Sequence, residues 1–162
     1  MKKLLAILLV FAMLLFVGGC DSNLTHSEKV KKSGTLTVGI TAREPMNYKE
    51  NGEWTGFDSE FAKMFAKEKL GVEVEFVKLT TSERLQKLED GEVDCLWGGV
   101  TYTDNLQSKA STSVRYVKNA QVLVMKADRV NDYNDGFEIR NLKFVVEKDS
   151  EGAFYIITRN SF

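Results

Sequence analysis

The chain has 162 residues, 22 basic and 23 acidic side chains, a net charge of −1, and 43% hydrophobic against 28% charged content. That composition builds a globular domain with a core and excludes a disordered chain. With no basic excess or patch, nucleic acid is not an expected partner.

Residues 1–19 read as a signal peptide. Lys2 and Lys3 give a basic start, residues 4–16 run without a polar side chain, and small residues follow at Val17-Gly18-Gly19. A membrane-spanning helix needs about 20 apolar residues, and this run ends in glycines and Asp21 before reaching that. The ending Val17-Gly18-Gly19-Cys20 resembles the lipobox of bacterial lipoproteins, in which the cysteine is acylated. An ordinary secretory signal with an incidental cysteine is the alternative. Acylation of Cys20 leaves Cys95 without a disulfide partner. In the apolar run 93–97, Cys95 then reads as a small buried hydrophobe. One histidine, His26, rules out most histidine-based triads and clustered metal sites and reads as decoration on a tether. No cofactor is expected.

Residues 20–34 are polar, with Lys29, Lys31 and Lys32, and read as a lipidated tether ending in a short helical turn. Residues 35–41 alternate Leu36, Val38 and Ile40 against Thr35, Thr37 and Gly39, the period of a strand. Residues 44–56 hold Pro45 and an Asn51-Gly52 turn, which predicts a long loop or a hairpin. Asp58 or Ser59 can cap a helix running to about Leu70, with Phe57, Phe61, Met64 and Phe65 at helical spacing and Gly71 closing it. Residues 72–79 alternate again, Thr80-Thr81-Ser82-Glu83 fits a capping box for a helix carrying Leu85 and Leu88, and 93–97 is a third strand. Strand, helix, strand, helix, strand predicts an α/β fold with a parallel sheet. Apolar runs at 121–126 and 142–147 read as further strands of a second lobe.

Ligands of open α/β sheets sit beyond the carboxyl ends of the strands. Three loops converge there: 41–48, 80–82 and 98–104. The third is the most informative. Gly98-Gly99 lets a ligand approach the backbone, Thr101 and Thr103 add hydroxyls, and Trp97 offers a flat wall. A glycine turn that merely ends a strand is the other reading.

The string Leu36-Thr37-Val38-Gly39, Glu44-Pro45-Met46-Asn47-Tyr48, Gly56-Phe57-Asp58, Gly91-Glu92-Val93-Asp94 and Val100-Thr101-Tyr102-Thr103 resembles the family 3 extracellular solute-binding proteins, the amino-acid receptors of ABC importers. The resemblance runs from about Ser33 to Ser150. It implies a two-lobed, periplasmic-binding-protein type II fold that closes on a small ligand. Lobe one would span 35–120, and 121–162 would hold the crossover and part of lobe two. It also implies ligand contacts from Met46, Tyr48, Trp97, Gly99, Val100, Thr101 and Thr103, with Ser150 completing the clamp. The partners implied are an amino-acid-like ligand, an ABC permease and the membrane through the lipid anchor. The protein would be a monomer on the extracytoplasmic face of the cell membrane, binding without catalysis.

Three departures stand out. The family's carboxylate-binding arginine falls on Leu106, which offers neither charge nor a bidentate fork. Arg115 is near in sequence, but nothing in the sequence makes it the replacement. The apolar anchor expected near 111–113 is Ser111-Thr112-Ser113, and residues 152–162 lose the resemblance. Two further readings therefore stand beside the receptor. One is a truncated, ligand-incompetent remnant. The other is a dehydratase-type enzyme using Glu44 or Asp104 as its acid or base.

Overall fold

The computed structural model describes residues 24–133 and 142–159. The expected signal peptide and the expected lipidation site Cys20 lie outside them. Helix α1 (His26–Ser33) opens the described chain. Thr25 caps it in a capping box, its hydroxyl accepting from the Glu28 N–H while the Glu28 carboxylate accepts the Thr25 N–H at 2.7 Å. This satisfies two of the N–H groups that a helix start leaves unpaired. Val30 of α1 is buried with Leu36, Val38, Ile40, Ala66 and Val72. Residues 26–33, expected within a tether, thus form a docked helix. His26 is more than decoration as well: its Nε2 lies 2.9 Å from Asp94 Oδ1, and Asp94 Oδ2 accepts the Thr37 N–H at 2.7 Å.

Strand β1 (Thr35–Ile40) is followed by a hairpin, β2 (Tyr48–Glu50) and β3 (Glu53–Thr55), turning through Asn51-Gly52. Helix α2 (Phe57–Phe65) runs on as a π-helical turn (Ala66–Leu70) and ends at Gly71 in the left-handed region (φ 72°). Strand β4 (Glu73–Lys78), helix α3 (Arg84–Glu89), strand β5 (Cys95–Leu96) and the short helix α4 (Asp104–Gln107) follow. A 3-10 turn (Ala127–Tyr133) and helix α5 (Glu151–Arg159) complete the described elements. The sheet is parallel with order β4-β1-β5. Strand β1 pairs with β4 from Thr35↔Glu73 to Ile40↔Lys78, and with β5 at Val38↔Cys95 and Gly39↔Leu96. The central strand buries Leu36, Val38 and Ile40, the residues its alternation selects.

Three local expectations change. Asp58 and Ser59 are not helix caps; Gly56 holds the N-cap position, and both side chains are buried beneath the first loop. The helix after Thr80 begins only at Arg84 without a side-chain cap, although the Thr80 hydroxyl does donate to the Glu83 carboxylate. The runs 121–126 and 142–147 form no strand with any described residue. Val124 and Val145 lie in solvent at 92% and 102% exposure, because an apolar run becomes a strand only where a neighbour takes its N–H and C=O groups. Cys95 is half-buried on the core and its thiol is pushed up to about 11 by burial, which fits a packing role.

Candidate ligand site

The loop after β1 is folded on itself and stapled to α2. Arg43 and Asn47 exchange backbone hydrogen bonds at 2.7 and 2.8 Å. The Phe57 N–H donates to Pro45 O at 3.2 Å, and the Asp58 N–H donates to Met46 O at 3.0 Å. These contacts need Gly56 at φ 103°, where a Cβ would stand 2.5 Å from Met46 O. Under the loop, Ser59 Oγ donates to Asn47 Oδ1 at 2.7 Å, and the Tyr116 hydroxyl donates to Asp58 Oδ1 at 2.9 Å. Burial pushes the Asp58 carboxyl up from its ordinary range, while the Tyr116 O–H and the Gly99 N–H pull it partly back. The Tyr116 hydroxyl is itself pushed well above its usual value, first by burial and then by Asp58.

This buried group explains half of the Gly98-Gly99 pair. A Cβ on Gly98 would stand 2.0 Å from Asn47 Nδ2, at a φ of 119°. Gly98 is therefore a packing glycine. Gly99 has nothing within 4 Å of its Cβ position and is exposed, so its side of the loop is open to a ligand.

Trp97 points into a cluster on α2. It meets Phe61 edge-on with ring centroids 5.2 Å apart, Phe65 at 5.6 Å, and Tyr116 at 6.5 Å. Such geometries add to the area these rings bury and hold the segment around Tyr116 across α2.

An open cleft of about 650 Å³ lies where the chain leaves β1 and β4, lined among others by Arg43, Glu44, Tyr48, Lys49, Trp54 and Lys78. Three cations face one carboxylate there. Lys49 Nζ stands 5.3 Å from the Trp54 ring centroid, a cation–π contact that places the ammonium at the rim. Beside the cleft, Arg43 Nη2 is 3.6 Å from Glu147 Oε2, and the Thr81 hydroxyl donates to Glu147 Oε1. Arg84 is half-buried in the same neighbourhood. Burial lowers its pKa first, with Glu151 and Glu147 acting the other way and Arg43 reinforcing the fall. A guanidinium stays charged under all these influences. Arg43 and the Thr81 hydroxyl together hold a carboxylate here, with the Arg84 guanidinium a second positive charge nearby.

The expected contact residues fall into three groups. Tyr48 lines the cleft, and Gly99, Val100 and Thr101 stand at the open third loop, half-buried apart from exposed Gly99. Met46 and Trp97 are tied to α2 through the Met46 carbonyl and the aromatic cluster. Thr103 and Ser150 use their hydroxyls as helix caps, accepting from the Leu106 N–H at 3.2 Å and the Ala153 N–H at 3.1 Å. Leu106, at the family's arginine position, is buried. Arg115 stacks on Tyr102 at 4.1 Å from the ring centroid. Loop 80–82 stands at this edge as the sequence predicts; Arg43 within the first loop and Arg84 just after the second are legible there as charges, whereas nothing in the sequence brings Glu147 to the same place. Among the described residues no group of three metal-ligating side chains occurs, and no helix is long and apolar enough to cross a membrane.

Residues 36–156 match the bacterial extracellular solute-binding proteins, family 3, and the chain belongs to that family. The glutamine-binding protein of Geobacillus stearothermophilus is 34% identical over 116 residues, covering 67% of this chain and 44% of its own. The membrane-bound lytic murein transglycosylase F of Photobacterium profundum is 33% identical over 129 residues, covering 77% of this chain and 24% of its own. Among solved structures, an ancestral cyclohexadienyl dehydratase aligns with a TM-score of 0.55 at 38% identity, over 58% of this chain and 39% of that one. The chain thus spans less than half the length of these relatives. The fold is the expected α/β type with a parallel sheet, covering part of the relatives' fold.

Proposed function

We propose that the chain is an extracytoplasmic solute-binding protein that takes an amino acid or related small polar solute and presents it to an ABC permease, tethered to the membrane through lipidated Cys20. The observation that carries this reading is the contact of Arg43 and Thr81 with one carboxylate beside an open, cationic cleft, with the charge of half-buried Arg84 in the same neighbourhood. Arg43, in the loop after β1, and Arg84, at the start of α3, supply the charge that Leu106 lacks. Tyr48 and Trp54 give the cleft apolar walls, and the open side of Gly99 and Thr101 gives a second edge. The similarity to a glutamine-binding protein supports an amino acid as ligand.

The test is calorimetric titration of the purified protein with L-glutamine, L-glutamate and L-arginine. Saturable binding of at least one is expected, and no heat from a full panel of amino acids overturns the reading. For the anchor, Cys20→Ser releases the protein from membranes; continued membrane association contradicts lipidation.

The structural likeness to an ancestral dehydratase favours a second reading, with Glu44 in the cleft as acid or base. Turnover of a cyclohexadienyl compound that Glu44→Gln abolishes would establish it; the binding reading expects none.

A further inference from the structure

The carboxylate that Arg43 and Thr81 hold, with the Arg84 charge nearby, belongs to the chain itself. Glu147 lies 66 residues from Thr81 in sequence, yet one of its oxygens accepts the Thr81 hydroxyl and the other faces Arg43. We infer that Glu147 is a built-in competitor for ligand, its carboxylate standing in the place a ligand carboxylate takes, so that ligand binds only as Glu147 leaves. This rests on the binding reading above and adds to it a means of control.

The contact is made to be broken. The Glu147 and Arg43 side chains are 50% and 56% exposed, and an ion pair so open to water is weak. The stretch before it, 142–147, has no strand partner among the described residues, and Val145 lies wholly in solvent. Little backbone structure therefore has to be undone when Glu147 swings out. On its other side, the Glu147 carbonyl accepts the Ser150 N–H at 3.2 Å, and Ser150 caps α5. Displacing Glu147 thus pulls on the first turn of α5, which ties occupancy of the pocket to the position of that helix. Glu151, on that first turn, is the second carboxylate that Arg84 feels. The double variant below therefore removes both negative charges near Arg84.

The consequence follows from population arithmetic. A pocket free of Glu147 only part of the time binds ligand with its intrinsic affinity reduced by that fraction. An exposed charge pair with one hydroxyl contact holds the closed form by a modest factor, so the gain on removing it is about three- to tenfold.

The experiment is calorimetric titration of the full chain, purified from membranes in detergent, with L-glutamine and L-glutamate. Wild type is compared with Glu147→Gln, Glu147→Gln/Glu151→Gln and the exposed control Lys148→Gln. The inference expects affinity about three- to tenfold higher in Glu147→Gln, equal or higher again in the double variant, and unchanged in Lys148→Gln. Binding seen only in the variants supports it still more strongly. Equal or weaker binding in Glu147→Gln and in the double variant, with wild type binding normally, overturns the competitor and leaves the receptor reading intact. No binding in any form overturns both. Hydrogen exchange gives a second measure, with ligand speeding exchange across 145–149 in wild type; slowed or unchanged exchange there contradicts displacement.

Discussion

Two stretches of this chain carry nearly the same message and meet opposite fates. Residues 35–40 alternate Leu36, Val38 and Ile40 and become the buried centre of a sheet, with Val38 at 0% exposure. Residues 121–126 carry Val122 and Val124 in the same rhythm and lie in solvent, Val124 at 92%. The difference is company. Strand β1 has β4 on one side and β5 on the other, so its backbone groups are paired, and Leu36, Val38 and Ile40 are buried. The later run has no strand beside it among the described residues. Amphipathic rhythm states what a segment can become, and neighbours decide whether it does.

Paired substitutions sharpen that contrast. Ile40→Ala removes a buried side chain from a packed centre and should cost about 2–5 kcal/mol, read from urea unfolding of the purified protein. A loss below about 1 kcal/mol would mean that the sheet is less well packed than its burial implies. Next in size is the clasp that holds the segment around Tyr116, which leads into the later run, against α2. Tyr116→Phe keeps the ring against Phe61 and Trp97 and deletes the hydroxyl that donates to Asp58. The expected cost is about 1–2 kcal/mol, with faster proteolysis across 111–120 as the local readout.

Asp58 makes a pH prediction with a definite sign. Its folded pKa lies above the ordinary 3.8, so the folded state holds the proton more tightly than the unfolded state does. Its contribution to stability is therefore fully present below that ordinary value, is lost as pH rises towards the folded pKa, and is level beyond it. Comparing urea midpoints from pH 3 to 8, Asp58→Asn should lose this downward trend; an unchanged pH profile would show that Asp58 is not the cause. Smallest of all is Val124→Ser, which should change stability by no more than about 0.5 kcal/mol because the side chain touches little. A large effect there would reveal a partner for the later run.

The sheet was legible because its information is local. Period-two alternation located β1 and β4 to within a residue, and Gly71 fixed the end of α2 by its left-handed backbone. The site was legible only as a neighbourhood. Strand order told which loops converge, while the roles inside them depended on contacts far apart in sequence. Asp58 and Ser59 look like caps because short oxygen-bearing side chains near a helix start commonly are. Only tertiary packing turns them inward to Tyr116 and Asn47, 58 and 12 residues away. Gly98 read as room for a ligand, yet that room is filled by the Asn47 amide. Leu106 shows in the sequence that the expected arginine is missing, but no spacing rule points to Arg43 and Arg84. Their closeness follows from the parallel pairing of β1 with β4, which brings the ends of both strands to one edge.

The central claim is that this edge is a carboxylate pocket. Its most direct test is calorimetric titration of wild type and Arg84→Ala side by side with the amino acid that binds best. Loss of this half-buried positive charge should weaken binding about tenfold or more, with thermal unfolding little changed. Equal affinity in the two proteins would contradict the account, because the ligand's carboxylate would then be held elsewhere.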